Sequence, residues 1–210
     1  MREAVSMFHF DQQMRRDCRT RSGAPRGPTG RAALALLVLL FGAAAPPDVP
    51  ADAQATLVLR ILAFDRKLSE RAQGTVKIAI LFREGDSSGE EIASALETLA
   101  RKNSVSGMPV KAVRMPFTGP HRLDGELSRA GVAAAYLGPG LEESIPAITK
   151  LAQAKRILTF TATRSYMDGG ASVALVRREA KVGIVVHLAN SRAEGADLDS
   201  GLLRIAEIVR

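Results

Sequence analysis

Three short apolar runs constrain this chain more than anything else in it. Val76–Phe82 reads Val-Lys-Ile-Ala-Ile-Leu-Phe, residues 132–137 read Val-Ala-Ala-Ala-Tyr-Leu, and residues 157–161 read Ile-Leu-Thr-Phe-Thr. Each is as long as a strand and lacks the polar alternation of a sheet with one wet face, so each must be covered on both sides. Residues 109–115 make a further strand. Between these runs lie helical patterns. Ile92, Leu96 and Leu99 follow Ser87 or Ser88 as the cap, with Glu90 and Glu91 as capping-box partners. Residues 122–129 form a second helix and residues 141–153 a third, interrupted early by Pro146. Strands joined through single helices by short connections build parallel βαβ units. The fold class expected is therefore α/β: an open, mostly parallel sheet with helices on both faces.

Two ends complete the pattern. In residues 56–71, Leu57, Ile61, Phe64 and Leu68 recur at helical spacing, so an amphipathic helix should open the domain, with Arg66, Lys67 and Arg71 solvated at its far end. After Gly169-Gly170 the alternation changes. Residues 171–177 and 181–188 read as two strands around a three-residue turn, an antiparallel C-terminal hairpin. Residues 200–209 read as a closing helix.

Residues 1–53 have another character. Seven arginines precede the run Ala32-Ala-Leu-Ala-Leu-Leu-Val-Leu-Leu-Phe-Gly-Ala-Ala-Ala45, followed by Pro46, Pro47, Pro50 and then Ala51-Asp52-Ala53. Basic stretch, short apolar stretch and small-x-small site are the parts of a secretory signal. The apolar run is shorter than the ~20 residues a spanning helix needs, which disfavours an uncleaved anchor. Pro46 disfavours a cut after Ala45, leaving Ala53 or Ala55. Translation from Met14 would shorten the basic stretch, and Arg15-Arg16 is a weak twin-arginine signal because Asp-Cys-Arg follows it. The expected organisation is a signal and linker over residues 1–53 and a single α/β domain over 54–210, exported to the periplasm.

That division shapes the chemistry. Cys18 is the only cysteine, so the mature domain has no thiol, and disulfides and thiol catalysis are excluded. Cutting after Ala53 leaves 22 basic against 17 acidic residues, a net charge of +5. The cations are scattered and aromatic residues make up 4% of the sequence, which argues against a nucleic-acid groove. The mature domain has two histidines, His121 and His187, too far apart in sequence to form a local metal-ligand pair. Gly85-Asp-Ser-Ser-Gly89 matches G-x-S-x-G between a strand and a helix. The partners a serine hydrolase needs are missing: neither His121 nor His187 has Asp three residues before it, and His187 sits inside an apolar strand. Capping serines explain the same residues without chemistry. No catalytic residue, metal site or cofactor is expected.

Four stretches carry a likeness. They are Leu59-Arg-Ile-Leu-Ala-Phe64; Val132-Ala-Ala-Ala-Tyr-Leu-Gly-Pro-Gly-Leu141; Ile157-Leu-Thr-Phe-Thr161 with Gly169-Gly170; and Val182-Gly-Ile-Val-Val-His-Leu-Ala189, then Gly195 and Leu202-Leu-Arg-Ile-Ala206. Over nearly its whole mature length the chain resembles the YfiR/HmsC family of small periplasmic proteins. The resemblance implies a regulator. The best-known relatives are inhibitors that hold the outward-facing domain of an inner-membrane diguanylate cyclase inactive. Those relatives use cysteine pairs for redox control, which this chain lacks. The family often has Asn where this chain has His187.

The expected function is thus a non-enzymatic, extracytoplasmic regulator binding a membrane signalling protein of the diguanylate cyclase or sensor kinase type. The alternative is a periplasmic small-ligand-binding protein resembling one lobe of a solute receptor. Ligands in open α/β sheets sit beyond the carboxyl ends of the strands, and helix N-termini favour anions. Ser87, Gly138, Gly140 and Arg164 should share that edge, with Phe117, Tyr166 and Arg164 as exposed-loop anchors for a partner. Oligomeric state is not readable from the sequence.

Overall fold

The computed structural model describes residues 49–179 and 181–209. Two helices open the domain, α1 (Ala51–Leu62) and α2 (Leu68–Ala72), followed by β1 (Val76–Phe82) and α3 (Ser87–Ala100). A hairpin of β2 (Ser104–Val105) and β3 (Met108–Pro116) leads to α4 (Pro120–Ala130), β4 (Ala134–Leu137), α5 (Ile145–Lys155) and β5 (Leu158–Thr161). The chain ends in β6 (Val173–Arg178), β7 (Lys181–His187), α6 (Leu188–Ala193), α7 (Ser200–Ile205) and β8 (Glu207–Val209).

The strands form one sheet in the order β2-β3-β1-β4-β5-β6-β7-β8. β3, β1, β4, β5 and β6 run parallel, and β6 turns back antiparallel onto β7. The α/β sheet with its antiparallel C-terminal hairpin is the one the apolar runs demand. Along β1, Ile78, Ile80 and Phe82 join the core under α1, α2 and α3, while Ala79 and Leu81 join the core under α4 and α5. A strand packed this way is apolar at both parities, which is why it shows no alternation.

The structure corrects the opening helix. It breaks after Leu62, because Asp65 turns inward, bridges to Leu198 and accepts from Lys67 N–H at 3.0 Å and Asp197 N–H at 2.9 Å. Arg71, expected in solvent, is buried against Asp65 with its side chain 3% exposed. At the other end, residues 200–209 do not stay helical: α7 stops at Ile205, Ala206 turns extended (φ −91°, ψ 149°), and β8 pairs parallel with β7. Ile208 and Val209 are β-branched, and the edge of β7 offers them a ladder. The short hairpin before β3 turns on Ser106 and Gly107, both at positive φ (50° and 77°), a two-residue turn for which Gly is suited.

Candidate functional site

The carboxyl edge of the sheet is where the candidate residues were expected to meet. Gly138 N–H donates to Leu81 O at 2.8 Å, and Phe117 N–H donates to Phe82 O at 2.8 Å, so both loops are fastened to the end of β1. A Cβ on Gly138 would stand 3.0 Å from Leu81 O, so a side chain here would crowd the carbonyl that its own N–H bonds.

The donors at that edge already have an acceptor from the same chain. Glu142, in the 3₁₀ turn before α5, accepts from Gly140 N–H at 3.3 Å and from the Tyr166 hydroxyl at 3.2 Å. Tyr166 accepts in turn from Leu141 N–H at 2.8 Å. The Glu142 carboxyl is held below its ordinary range by its own backbone N–H, then by Tyr166, Gly140 and nearby Arg83, against some desolvation. Burial pushes the Tyr166 phenol up to about 12. Gly140 and Tyr166 therefore do come together, but around an exposed carboxylate of the same chain, while Gly138 is bound to the end of β1.

The candidates expected as exposed anchors, and Ser87, stand differently. Tyr166 is 2% exposed, so it is a core residue and not the exposed anchor expected from its loop position. Phe117 is half-buried against the α4–α5 core. Arg164 does not face an open anion site, because it donates to Glu207 at 2.8 Å and shares that carboxylate with Arg178. Ser87 is exposed, but it is not the cap of α3. Asp86 is, accepting from Ser88 N–H and Gly89 N–H at 3.1 Å each. The groove beside Ser87 is lined by Asp52, Glu90, Glu91, Ser94 and Thr98, without an imidazole. His187 is the last residue of β7, paired with Val209 and level with Thr159 rather than at the carboxyl edge, and its Nδ1 accepts from Asn190 N–H at 3.3 Å and caps α6. No serine–histidine pair exists among the described residues.

One group had no sequence signal at all. Glu194, fully buried, accepts from Thr159 N–H at 2.8 Å, Thr159 Oγ1–H at 2.7 Å and Ser172 Oγ–H at 2.5 Å. Desolvation pushes its carboxyl up to about 7 against these three bonds and the pull of Arg71. Its partners lie more than twenty residues upstream, so no local motif could reveal it. Among the described residues no group of three or more His, Cys, Asp or Glu is placed to hold a metal ion. No helix among them is long and apolar enough to cross a membrane.

Comparison with known proteins adds a family and a fold. The family model described as YfiR/HmsC-like matches residues 51–207. No curated protein matches the sequence. Among solved structures, the ligand-free, open form of a substrate-binding protein with adhesive properties from Clostridium difficile aligns with a TM-score of 0.57 at 15% identity, over 78% of this chain and 61% of that one. A conserved domain protein from Vibrio cholerae gives 0.58 at 14%, over 77% and 60%. An ABC domain in complex with L-Trp from Streptococcus pneumonia gives 0.56 at 13%, over 76% and 60%. The chain spans about three fifths of these structures, and the likeness is one of fold.

Proposed function

The chain belongs to the YfiR/HmsC-like family, and from that premise we propose that it is a non-enzymatic periplasmic regulator that binds the outer domain of a membrane signalling protein of the diguanylate cyclase or sensor kinase type. The observation that carries this reading is the family match, which runs through the whole described domain from α1 to the start of β8. A regulator of this kind acts by differential binding. It holds one conformation of its partner's outer domain and shifts that partner's population by as much as its affinities for the two conformations differ.

The second reading, a small-ligand-binding protein, draws on the fold shared with substrate-binding proteins. Against it stands the occupied carboxyl edge, where Glu142 takes the Gly140 and Tyr166 donors that a bound solute would use. An anion at those donors would have to compete with the Glu142 carboxylate.

The test is crosslinking in intact cells followed by purification from detergent-solubilised membranes, with cyclic-di-GMP measured in a strain lacking the gene. The expected result is a crosslink to one integral membrane protein with an extracytoplasmic domain, and a changed nucleotide level. If no membrane protein is captured, while one solute raises the melting temperature with its concentration as ligand linkage requires, the second reading replaces the first.

A further inference from the structure

One margin of the sheet is open over most of a long strand. β2 covers only Met108 and Pro109 of β3, so Val110 to Pro116 form an outer edge with β1 on one side and no strand on the other among the described residues. Phe117 N–H points to β1. The alternation of the pleat then turns the N–H and C=O groups of Val110, Ala112 and Arg114 outward.

Beside this edge, between β3 and α4, runs a groove of about 450 Å³ lined by Val113, Met115, Arg122, Glu126, Arg129 and Ala130. An open ladder next to a groove that receives alternate side chains is the arrangement of β-strand addition.

Charge selects the occupant. Lys111, Arg114, Arg122 and Arg129, all exposed, border the edge. The acids facing them are Glu97, held by Arg114, with Glu90 farther from the same guanidinium, and Glu126, held by Arg122. A second copy of this chain would bring the same cations against themselves, the usual way an edge strand is protected from its own kind. An acidic extended segment meets no such opposition.

We propose that the outer edge of β3 is the partner-binding strand of this protein, taking an extended, acidic segment of the partner by β-strand addition, with one apolar side chain seated between Val113 and Ala130. This rests on the regulator reading, but it is tested without the natural partner.

The probe is an acetylated, amidated heptapeptide, Glu-Val-Glu-Val-Thr-Val-Glu, with a lysine-for-glutamate version as its control. Amide hydrogen exchange is followed in the intact domain. The acidic peptide should slow exchange at Ala112 and Arg114 by at least tenfold, with binding that weakens as salt rises, while the lysine peptide leaves both unchanged. Ala112→Pro removes an outward donor at an edge position where proline is tolerated, and it should abolish the protection. Lys111→Glu with Arg129→Glu, both at exposed positions, should weaken it at least fivefold. Equal protection by both peptides, protection elsewhere, or concentration-dependent dimers that protect the same amides would each overturn the proposal. Failure here with a membrane partner still captured in cells would sink this surface and leave the regulator reading standing.

Discussion

Arg71 and Asp65 form an ion pair in which the two side chains are 3% and 0% exposed. The guanidinium also donates to Ala133 O and to Arg156 O at 3.0 Å, while its Nε has no partner. Asp65 holds the Lys67 and Asp197 amides. The pair thus ties the α1–α2 corner to the starts of β4 and β5 and to the segment after α6.

Removing one partner of such a pair leaves a buried charge uncompensated. Asp65→Ala should therefore destabilise the domain by roughly 3–5 kcal/mol, and Arg71→Met with Asp65→Ala together by less. Urea unfolding midpoints check this. A double variant no more stable than the single one would show that the pair is not a coupled unit.

Glu194 makes stability depend on pH in a defined window. Its carboxyl is raised from an ordinary 4.5 to about 7, so the folded state binds the proton more tightly than the unfolded chain. That stabilisation is complete below pH about 4.5 and is lost as pH rises through about 7, on the order of 3 kcal/mol. Glu97, Glu142 and Asp199 are lowered, first by Arg114, by the Glu142 backbone and by Gly201 N–H respectively. Their contributions are present above their ordinary values and fade as pH falls, outside the Glu194 window. Between pH 5 and 7.5 the melting temperature should fall in wild type and stay level in Glu194→Gln. A flat wild-type profile would refute the assignment.

The cap of α3 gives a sharper local comparison. Asp86→Ala removes the acceptor for two helix amides and should cost about 1 kcal/mol, whereas Ser87→Ala, exposed and not capping, should stay within about 0.5 kcal/mol. Thermal denaturation of the two variants decides it.

The central strands and their parallel direction were legible because runs such as Ile78-Ala-Ile-Leu-Phe82 can only be satisfied between two helical layers. What was not legible depended on partners distant in sequence. The α1–α2 break rests on Asp65 meeting residues 132 positions onward, and the ladder that holds β8 is supplied by β7. At the carboxyl edge the glycines were readable as tight turns. That Glu142 occupies their donors was not, since an acid two residues after Gly140 equally suits a solvated helix start.

Tyr166→Phe tests that occupation. It deletes the acceptor of Leu141 N–H and a donor to Glu142, leaving a buried amide unsatisfied. The expected loss is about 1–3 kcal/mol. Unchanged stability would mean water replaces the hydroxyl and the edge is more open than its geometry indicates.

The N-terminal boundary carries the last prediction. Residues 1–48, with the expected signal and Cys18, lie outside the described residues, but the chain from Val49 onward bears directly on where the domain starts. α1 begins at Ala51, ahead of the expected cuts after Ala53 or Ala55, and the family match begins at the same residue. Gln54 is buried, donates to Val49 O at 2.5 Å and accepts from the Tyr136 hydroxyl. Its backbone N–H donates to Pro50 O at 3.0 Å. A chain starting at Gln54 loses the first turn of α1 and the carbonyl partner of a buried amide, and it places a charged amine at the positive end of the helix. It should unfold about 1–3 kcal/mol more easily than a chain starting at Pro46, and a chain starting at Thr56 more easily still. Denaturant titration of the three chains checks the stability order, and mass spectrometry of the protein purified from its native cells reads its first residue. Equal stability of all three would show that residues 46–55 add nothing to the domain.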